Sequence, residues 1–501
     1  MYNASVFLDT HHNVGPIDRR TFGGFLEHLG RAVYEGVYQP GTPLADEDGF
    51  RHDVIDTLKQ LRMPVVRYPG GNFVSSYIWQ DGVGPKEKRP RRPDYAWKSI
   101  ESNQFGTDEF MKWCAKMGTK PMLAVNLGTR GTEEAAAYLE YCNLPAGTYW
   151  ADQRKANGHA EPYGAKLWCL GNELDGPWQA GHTTAVEYAR RAWQTSKLMK
   201  GLDPTIETAA CGSSARTMAT YMEWDRVVVE EVWDTADYIS AHRYSRNDQN
   251  DTPWFLAEGV EIERVIDDYR GLLDYVRGLK KNDKRMYVSF DEWNVWYRAR
   301  GGIYADGNWK EAPHLLEEVY NLEDALVCAQ YLNTFIRNAD IVKVACIAQI
   351  VNVIAPIMTR TDGILVQSIF VPMQLMSQHT AGISLRPAID CPTYKAGARG
   401  DAPSLDASSS YDPQTGETSI FLVNRKTEDP ASVTIKLDDR AITKITVAEG
   451  IGGVDPKLAN SWEKPTAIQQ SRAESQIRDG SLVVHVKNPG FVAVKVATAA
   501  R

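Results

Sequence analysis

Two glutamates stand where apolar runs of the sequence end, and their positions suggest acid–base chemistry. Glu173 follows the run Ala165–Leu170, and Glu292 follows the run Met286–Phe290. A protonated carboxyl can give its proton to a leaving oxygen, while an ionised one can attack as a nucleophile or activate water. Hydrolysis of a glycosidic bond needs two carboxyls of this kind. We therefore treat Glu173 and Glu292 as catalytic candidates.

Other polar side chains stand at the ends of similar runs. Taken singly, each has an ordinary explanation, such as a helix cap, a hydrogen-bonded core group or an ion pair. If the runs are parallel strands of one barrel, these side chains meet at the rim where barrel enzymes carry their reactive groups. The candidates are Glu27, His28, Arg67, Asn72, Asn126, Asn172, His242, Tyr244 and Gln349.

The elements that must position these residues alternate between short β-rich runs and segments of helical period. The apolar residues of Arg51–Arg62 and Thr107–Met117 lie on one helical face in each segment. Eight strand–helix units predict a (β/α)8 barrel, which we favour over an open doubly wound sheet because no Gly-rich phosphate turn follows the first run. The predicted strands are Phe22–Glu27, Val65–Tyr68, Pro121–Asn126, Ala165–Leu170, Glu207–Cys211, Tyr238–His242, Met286–Phe290 and Val342–Gln349.

After residue 385 the pattern changes to short alternating runs separated by Pro, Gly, Ser and Asp. This pattern predicts an antiparallel β-sandwich of the jelly-roll type over residues 386–501, behind a barrel over residues 18–385. Residues 1–17 are expected to add a strand to the sandwich. The predicted sandwich strands are Ser5–Leu8, Thr418–Val423, Ala431–Leu437, Ile442–Val447, Ser481–Val486 and Phe491–Val496.

Composition restricts the partners and the compartment. The 501 residues carry a net charge of −8, which argues against nucleic acid or an anionic membrane as a main partner. Seven cysteines without a C-x-x-C pair predict reduced thiols. The first residues lack a basic and an apolar region of the secretory type, so we expect a cytoplasmic protein.

Five long motifs closely resemble the α-L-arabinofuranosidases of glycoside hydrolase family 51, and the resemblance runs over essentially the whole chain. The motifs are FLEHLGR from Phe25, VRYPGGNF from Val66, AVNLGT from Ala124, WCLGNELDGPW from Trp168 and SFDEWNVW from Ser289. The resemblance implies that Glu173 is the acid/base and Glu292 the nucleophile of a retaining mechanism. It also implies a hexamer and neither a metal nor an organic cofactor. The furanose contacts that it implies are Glu27, Arg67, Asn72, Asn172, Tyr244 and Gln349, with His242 beside the nucleophile.

The expected substrate is a terminal, non-reducing α-L-arabinofuranosyl residue of arabinan, arabinoxylan or their oligosaccharides. Trp97, Trp178 and Trp296 are candidates for the wall that receives the leaving sugar. The alternatives are a retaining β-xylosidase or endoglucanase on the same barrel, and a non-catalytic carbohydrate-binding protein. A metal-dependent hydrolase is a further alternative, but His242 and His28 are the histidines available at the strand ends.

Overall fold

Eight parallel strands close into a barrel, as the sequence predicts. The computed structural model describes residues 1–297 and 308–501. Within the barrel each strand pairs with the strands before and after it in the chain, and the eighth pairs with the first. The strands, numbered 1 to 8 below, are Gly23–Phe25, Val65–Tyr68, Lys120–Ala124, Leu167–Leu170, Glu207–Ala210, Tyr238–Ser245, Tyr287–Val295 and Val342–Ala348.

Barrel strands 6 and 7 continue beyond their predicted ends at His242 and Phe290. Strand 6 reaches Ser245 and strand 7 reaches Val295. They continue because the two strands still pair there, with His242 beside Glu292 and Ser245 beside Val295. The register shifts between the Ser240 and His242 pairs, which is typical of a β-bulge that redirects a side chain near an active site. Glu292 therefore lies within strand 7 and does not follow it.

Helices connect the barrel strands and surround them. The helix predicted at Arg51–Arg62 spans His52–Lys59, and the one predicted at Thr107–Met117 has the predicted bounds. Within residues 1–297 and 308–501, none of the helices is both long and apolar enough to cross a membrane. The helices are His52–Lys59, Thr107–Met117, Thr132–Asn143, Tyr149–Ala156, Ala185–Leu202, Glu223–Val232, Thr252–Phe255, Glu258–Lys280, Leu322–Arg337 and Phe370–His379.

Two sheets form the sandwich that follows the barrel. One sheet has the spatial order Ala388–Asp390, Tyr2–Leu8, Ala431–Leu437, Ser481–Val486 and Ser475–Arg478. The other has the order Asn13–Pro16, Ile383–Leu385, Leu405–Asp412, Glu417–Asn424, Gly490–Ala500, Arg440–Gly452 and Ser471–Arg472. Their pairings are antiparallel, except that Tyr2–Leu8 runs parallel to Ala431–Leu437. The domain boundaries at residues 17 and 385 stay predictions.

The central strand of the larger sheet, Glu417–Asn424, is buried on both faces. Along Glu417–Asn424, Ile420 and Leu422 pack into the core between the two sheets, whereas Phe421 and Val423 pack into the core of the barrel. This alternation follows from the two-residue period of a strand. The sandwich is therefore continuous with the packing of the barrel.

Short antiparallel strand pairs lie outside the barrel and the two sandwich sheets. The pairs are Arg92–Pro93 with Ile100–Glu101, Ile357–Arg360 with Gly363–Val366, and Thr393–Lys395 with Asp401–Pro403. All seven cysteines carry free thiols, and six of them are buried. The reduced state of these thiols stays a prediction.

Candidate active site

Glu173 and Glu292 lie on neighbouring sides of His242 at the carboxyl end of the barrel. His242 Nδ1 is 2.8 Å from Glu173 Oε1 and 3.5 Å from Glu292 Oε2. Glu173 comes soon after barrel strand 4 and has a φ of 45°, an uncommon backbone conformation for a residue with a side chain. All three side chains are at least nine-tenths buried. One imidazole nitrogen thus contacts both catalytic candidates.

Arg67 and Tyr244 contact the two oxygens of Glu292. Arg67 Nη1 donates to Glu292 Oε1 at 2.6 Å, and the Tyr244 hydroxyl donates to Glu292 Oε2 at 2.9 Å. Burial raises the pKa of the Glu292 carboxyl above its usual value, and the charges of His242 and Arg67 oppose that rise. These donors favour the ionised form that a nucleophile needs.

A chain of amide and guanidinium contacts runs beneath the two glutamates. Arg67 Nη2 donates to Asn172 Oδ1 at 2.7 Å, and Asn172 Nδ2 donates to Asn72 Oδ1 at 3.4 Å. Gln179 Nε2 also donates to Asn72 Oδ1, at 2.9 Å. Gln179 is absent from the sequence prediction because it lies in a loop well beyond the end of barrel strand 4.

Glu27 is held by donors from three other elements. Its Oε1 accepts from the Phe73 backbone N–H at 2.9 Å and from Trp97 Nε1 at 3.2 Å, and its Oε2 accepts from Gln349 Nε2 at 3.1 Å. Gln349 Oε1 in turn accepts from the Glu27 backbone N–H at 2.7 Å. Burial, reinforced by the negative charge of Glu292 and opposed by the Phe73 N–H, raises the pKa of Glu27 to about 8. Burial therefore disfavours the ionised form of Glu27, whereas the donors that it accepts from favour that form.

The three candidate tryptophans occupy different parts of the site. Trp178 Nε1 donates to Glu173 Oε2 at 2.9 Å, although 41% of this residue is exposed. Trp97 approaches Glu27, and Trp296 meets the ring of Tyr244 edge-on at 5.1 Å between centroids. All three border the same space, as a leaving-sugar wall would.

These side chains surround a cavity of about 350 Å³. Ten of the fourteen predicted site residues line it. Arg67 and Asn172 lie behind Glu292 and Asn72 and contact them, whereas His28 and Asn126 are outside the lining. The ten are Glu27, Asn72, Trp97, Glu173, Trp178, His242, Tyr244, Glu292, Trp296 and Gln349. Carboxyl, amide and aromatic groups around one small cavity form a site suited to a sugar.

Comparison with known proteins assigns the family. Residues 57–261 match the model described as the α-L-arabinofuranosidase 1 domain, and residues 291–489 match the α-L-arabinofuranosidase C-terminal domain. An intracellular exo-α-(1→5)-L-arabinofuranosidase of Acetivibrio thermocellus is 43% identical, over 99% of this chain and 100% of the relative. The chain belongs to the α-L-arabinofuranosidases of glycoside hydrolase family 51.

A further relative and a solved structure support the assignment of this chain to family 51. An exo-α-(1→6)-L-arabinofuranosidase of Bifidobacterium longum is 44% identical, over 92% of this chain and 90% of the relative. The solved structure of the family 51 α-L-arabinofuranosidase AbfB from Bifidobacterium longum superposes with a TM-score of 0.95 and 38% identity, covering 99% of this chain and 100% of that one. These matches do not favour the β-xylosidase, endoglucanase or non-catalytic alternatives.

The cavity of this family 51 chain also has walls that the sequence analysis missed. Ser214–Thr217 follow barrel strand 5, so the rule that located the other candidates applies to them as well. Leu316 and Ile354 come from long connections and have φ angles of 52° and 37°, which no sequence pattern here signals. Asn126, by contrast, lies outside the lining set, and its side chain Oδ1 accepts from the Gly128 backbone N–H at 3.0 Å within its own turn.

Three donor atoms of the site are close enough together to suit a metal ion. Single atoms of Glu173, His242 and Glu292 lie within 4.8 Å of one another, although we expected no such cluster. His242 is already engaged on both ring nitrogens, since Nε2 lies 3.1 Å from Asp291 Oδ1. We interpret the cluster as hydrogen-bonded acids and a base, and the metal-free expectation stays a prediction. A second group of this kind, on the surface, comprises Asp9, His11 and Asp439.

Proposed function

We propose that this protein is a retaining α-L-arabinofuranosidase that releases terminal, non-reducing arabinofuranosyl residues by double displacement. The observation that carries the proposal is the placement of Glu173 and Glu292 on one cavity, with oxygens within 4.8 Å of each other. Carboxyls about 5–5.5 Å apart are typical of retaining enzymes, whereas inverting enzymes separate them by about 6.5–9.5 Å. The short spacing supports direct attack by a carboxylate, since an inverting enzyme needs room for water.

In the first half-reaction Glu292 is the nucleophile and Glu173 the acid. A Glu292 oxygen forms a bond to the anomeric carbon while the bond from that carbon to the leaving oxygen breaks. Glu173 gives its proton to the leaving oxygen, so the alcohol departs neutral. Arg67 and Tyr244 hold the Glu292 oxygens in position for this attack.

In the second half-reaction Glu173 acts as the base. Its carboxylate removes a proton from water, and the water oxygen bonds to the anomeric carbon as the ester bond to Glu292 breaks. Both glutamates return to their starting protonation states. Two inversions at the anomeric carbon give a product with the configuration of the substrate.

The polar groups around the glutamates are suited to the furanose hydroxyls. Glu27, Asn72 and Gln349 line the cavity and offer both donors and acceptors. Arg67 and Asn172 act from below, through their contacts to Glu292 and Asn72. We assign these five residues to recognition of the arabinofuranosyl ring.

The leaving sugar faces the aromatic part of the wall. Trp97, Trp178 and Trp296 present ring surfaces that suit the apolar face of a sugar. One relative is named for α-(1→5) and another for α-(1→6) linkages, so we assign linkage preference to this wall and not to the catalytic pair. The substrate class is arabinan, arabinoxylan or their oligosaccharides.

The proposal also covers the location, the oligomeric state and the cofactor requirement of the protein. We propose a cytoplasmic location, which the name "intracellular" given to the Acetivibrio thermocellus relative supports. We also propose a homo-oligomer, a hexamer by family resemblance, that needs no metal or organic cofactor. Size measurement by light scattering tests the oligomer directly.

The function is tested by identifying the product that forms when an arabinofuranosyl bond is cleaved. Incubation with 4-nitrophenyl α-L-arabinofuranoside in methanol-containing buffer, followed by NMR, is expected to give methyl α-L-arabinofuranoside. A β-glycoside would contradict retention, and a lack of arabinose release would contradict the function. The Glu292→Gln variant, purified in the same way, controls for contaminating enzymes, and branched arabinan compared with arabinoxylan reports the preferred polymer.

A further inference from the structure

Asp291 is a buried acid that the mechanism above does not use. It precedes the nucleophile in barrel strand 7 and is fully buried. An ionised carboxylate in such a place requires partners that compensate for its loss of water. Its partners connect it to the catalytic pair through one side chain, His242.

The contacts of Asp291 orient the imidazole ring. Asp291 Oδ1 lies 3.1 Å from His242 Nε2, and the Ser240 hydroxyl donates to the same oxygen at 2.5 Å. The Cys169 thiol approaches Asp291 Oδ2 at 3.6 Å. Because Nε2 is held at Asp291, the opposite nitrogen, Nδ1, is turned toward Glu173 and Glu292.

The charges around His242 favour its protonated form. Burial by itself lowers the pKa of His242, but the charge of Glu292 and the hydrogen bonds to Asp291 and Glu173 raise it to about 10. Burial by itself raises the pKa of Asp291, but Arg67 and His242 lower it to about 2. The titratable groups that face this pair are Arg67, Cys169, Glu173, Tyr244 and Glu292.

We propose that Asp291 is a positioning residue that keeps His242 charged and oriented, so that the Nδ1–H serves whichever catalytic glutamate is negative. In the free enzyme the negative charge is on Glu292, 3.5 Å from Nδ1. In the glycosyl-enzyme Glu292 is an ester, and the charge has passed to Glu173, 2.8 Å from Nδ1. The inference rests on the proposed function, since it needs a charge that alternates between these two carboxyls.

The arrangement lets one fixed donor act in both half-reactions. No proton leaves His242 in either step, because the proton that moves travels from Glu173 to the leaving oxygen and returns from water. A preorganised charge of this kind stabilises developing charge without any rearrangement of the site. Loss of the positive charge would make Glu292 harder to ionise.

The experiment is a comparison of pH–rate profiles for kcat and kcat/KM on an aryl α-L-arabinofuranoside. Replacement of Asp291 by Asn removes one of the three carboxylates that hold His242 protonated, and it leaves Glu292 and Glu173 in place. The acid limb of the bell-shaped profile is expected to move to higher pH by about one unit, with a loss of up to about tenfold on the acid side. A merely structural defect would lower the profile without moving it.

The matched control is the same substitution at Asp225. This acid is also fully buried, and it accepts from Ser213 and Tyr269 away from the catalytic pair. Asp225→Asn is expected to leave the positions of both limbs unchanged. A shift in Asp225→Asn equal to that in Asp291→Asn would overturn the inference.

A double-mutant comparison shows whether Asp291 acts through His242. His242→Gln alone is expected to move the acid limb of the pH–rate profile to higher pH. Addition of Asp291→Asn to this variant is expected to move the limb no further. The inference is overturned if an active Asp291→Asn enzyme has a profile with unmoved limbs. If Asp291→Asn does not fold, an unmoved profile in His242→Gln overturns the inference. Absence of activity in the wild-type protein would instead overturn the proposed function.

Discussion

Gly71 lies so close to Glu292 that a β-carbon at residue 71 would come within 2.7 Å of Glu292 Oε1. The same β-carbon would lie 3.3 Å from Asn172 Nδ2. Neither neighbour is free to move, because Arg67 donates to both side chains. The absence of a side chain at Gly71 is therefore part of how Glu292 is positioned.

Gly71→Ala is expected to displace the Glu292 carboxylate and to lower kcat by about a hundredfold, since misplacement of a reacting group by about 1 Å costs that much. Steady-state kinetics and thermal unfolding measure the two effects. Gly271→Ala is the control, because a β-carbon there meets nothing within 4 Å. Equal activity in the two variants would show that Glu292 tolerates the displacement.

Glu173→Ala and Glu292→Ala are expected to differ in their response to azide. Without Glu173, a nitrophenyl arabinofuranoside still forms the glycosyl-enzyme, which then waits for a base. Azide attacks that intermediate without the help of a base, so turnover should rise and an α-arabinofuranosyl azide should form. NMR of the product decides between the roles: a β-azide from Glu173→Ala, or azide rescue only in Glu292→Ala, means that the roles are reversed.

Glu27→Gln tests the neutral form of Glu27. With its pKa raised to about 8 by burial, Glu27 is protonated below that pH and gains a negative charge as the pH rises through it. Wild-type kcat/KM is expected to fall over that range, because the new charge lies near Glu292. The Gln variant should retain activity within about tenfold at pH 7, because general acid–base and binding groups are otherwise intact. A limb near pH 8 that persists in Glu27→Gln would assign it to another group.

Glu258→Gln is expected to destabilise the fold. Glu258 is fully buried and pairs with Arg243 of barrel strand 6 and with Arg399 from the C-terminal part of the chain. Removal of its charge leaves two buried guanidinium groups uncompensated, at a cost of about 3–5 kcal/mol. Urea unfolding measures the loss, and Glu223→Gln, which breaks an exposed pair with Arg226, should destabilise the fold far less.

Activity is expected to survive removal of metal ions. Glu173, His242 and Glu292 satisfy one another by hydrogen bonding, and a cation among them would neutralise the nucleophile. Dialysis against EDTA followed by assay in metal-free buffer measures this. Loss of activity that zinc restores would show that the protein needs a metal ion and would contradict this expectation.

The barrel and the placement of Glu173 and Glu292 at one cavity are predictable because strong local signals encode them. Apolar runs such as Val65–Tyr68 are buried strands, and the strand-end rule places Glu173 on the rim. The end of barrel strand 7 was not predictable, because Asp291 and Glu292 are polar and their burial depends on Arg67 and His242, which are distant in sequence. Long-range partners decide where that strand ends.

A similar reason explains the missed strand Leu405–Asp412. Its central residues, Ser408 to Ser410, read as a polar turn, yet they are buried. Ser408 donates to Asn333 Oδ1 at 2.7 Å, on the barrel helix Leu322–Arg337. Hydrogen bonds across the interface replace the apolar contacts that a sequence pattern can reveal.

The parallel pairing of Tyr2–Leu8 with Ala431–Leu437 has a consequence for biosynthesis. Tyr2–Leu8 is synthesised before the barrel, and its neighbour Ala431–Leu437 is synthesised after it. The barrel can close as soon as its eighth strand emerges, whereas Tyr2–Leu8 still lacks this neighbour. During that interval Val6 and Leu8 stay uncovered, so the order of synthesis leaves this segment open to non-native association.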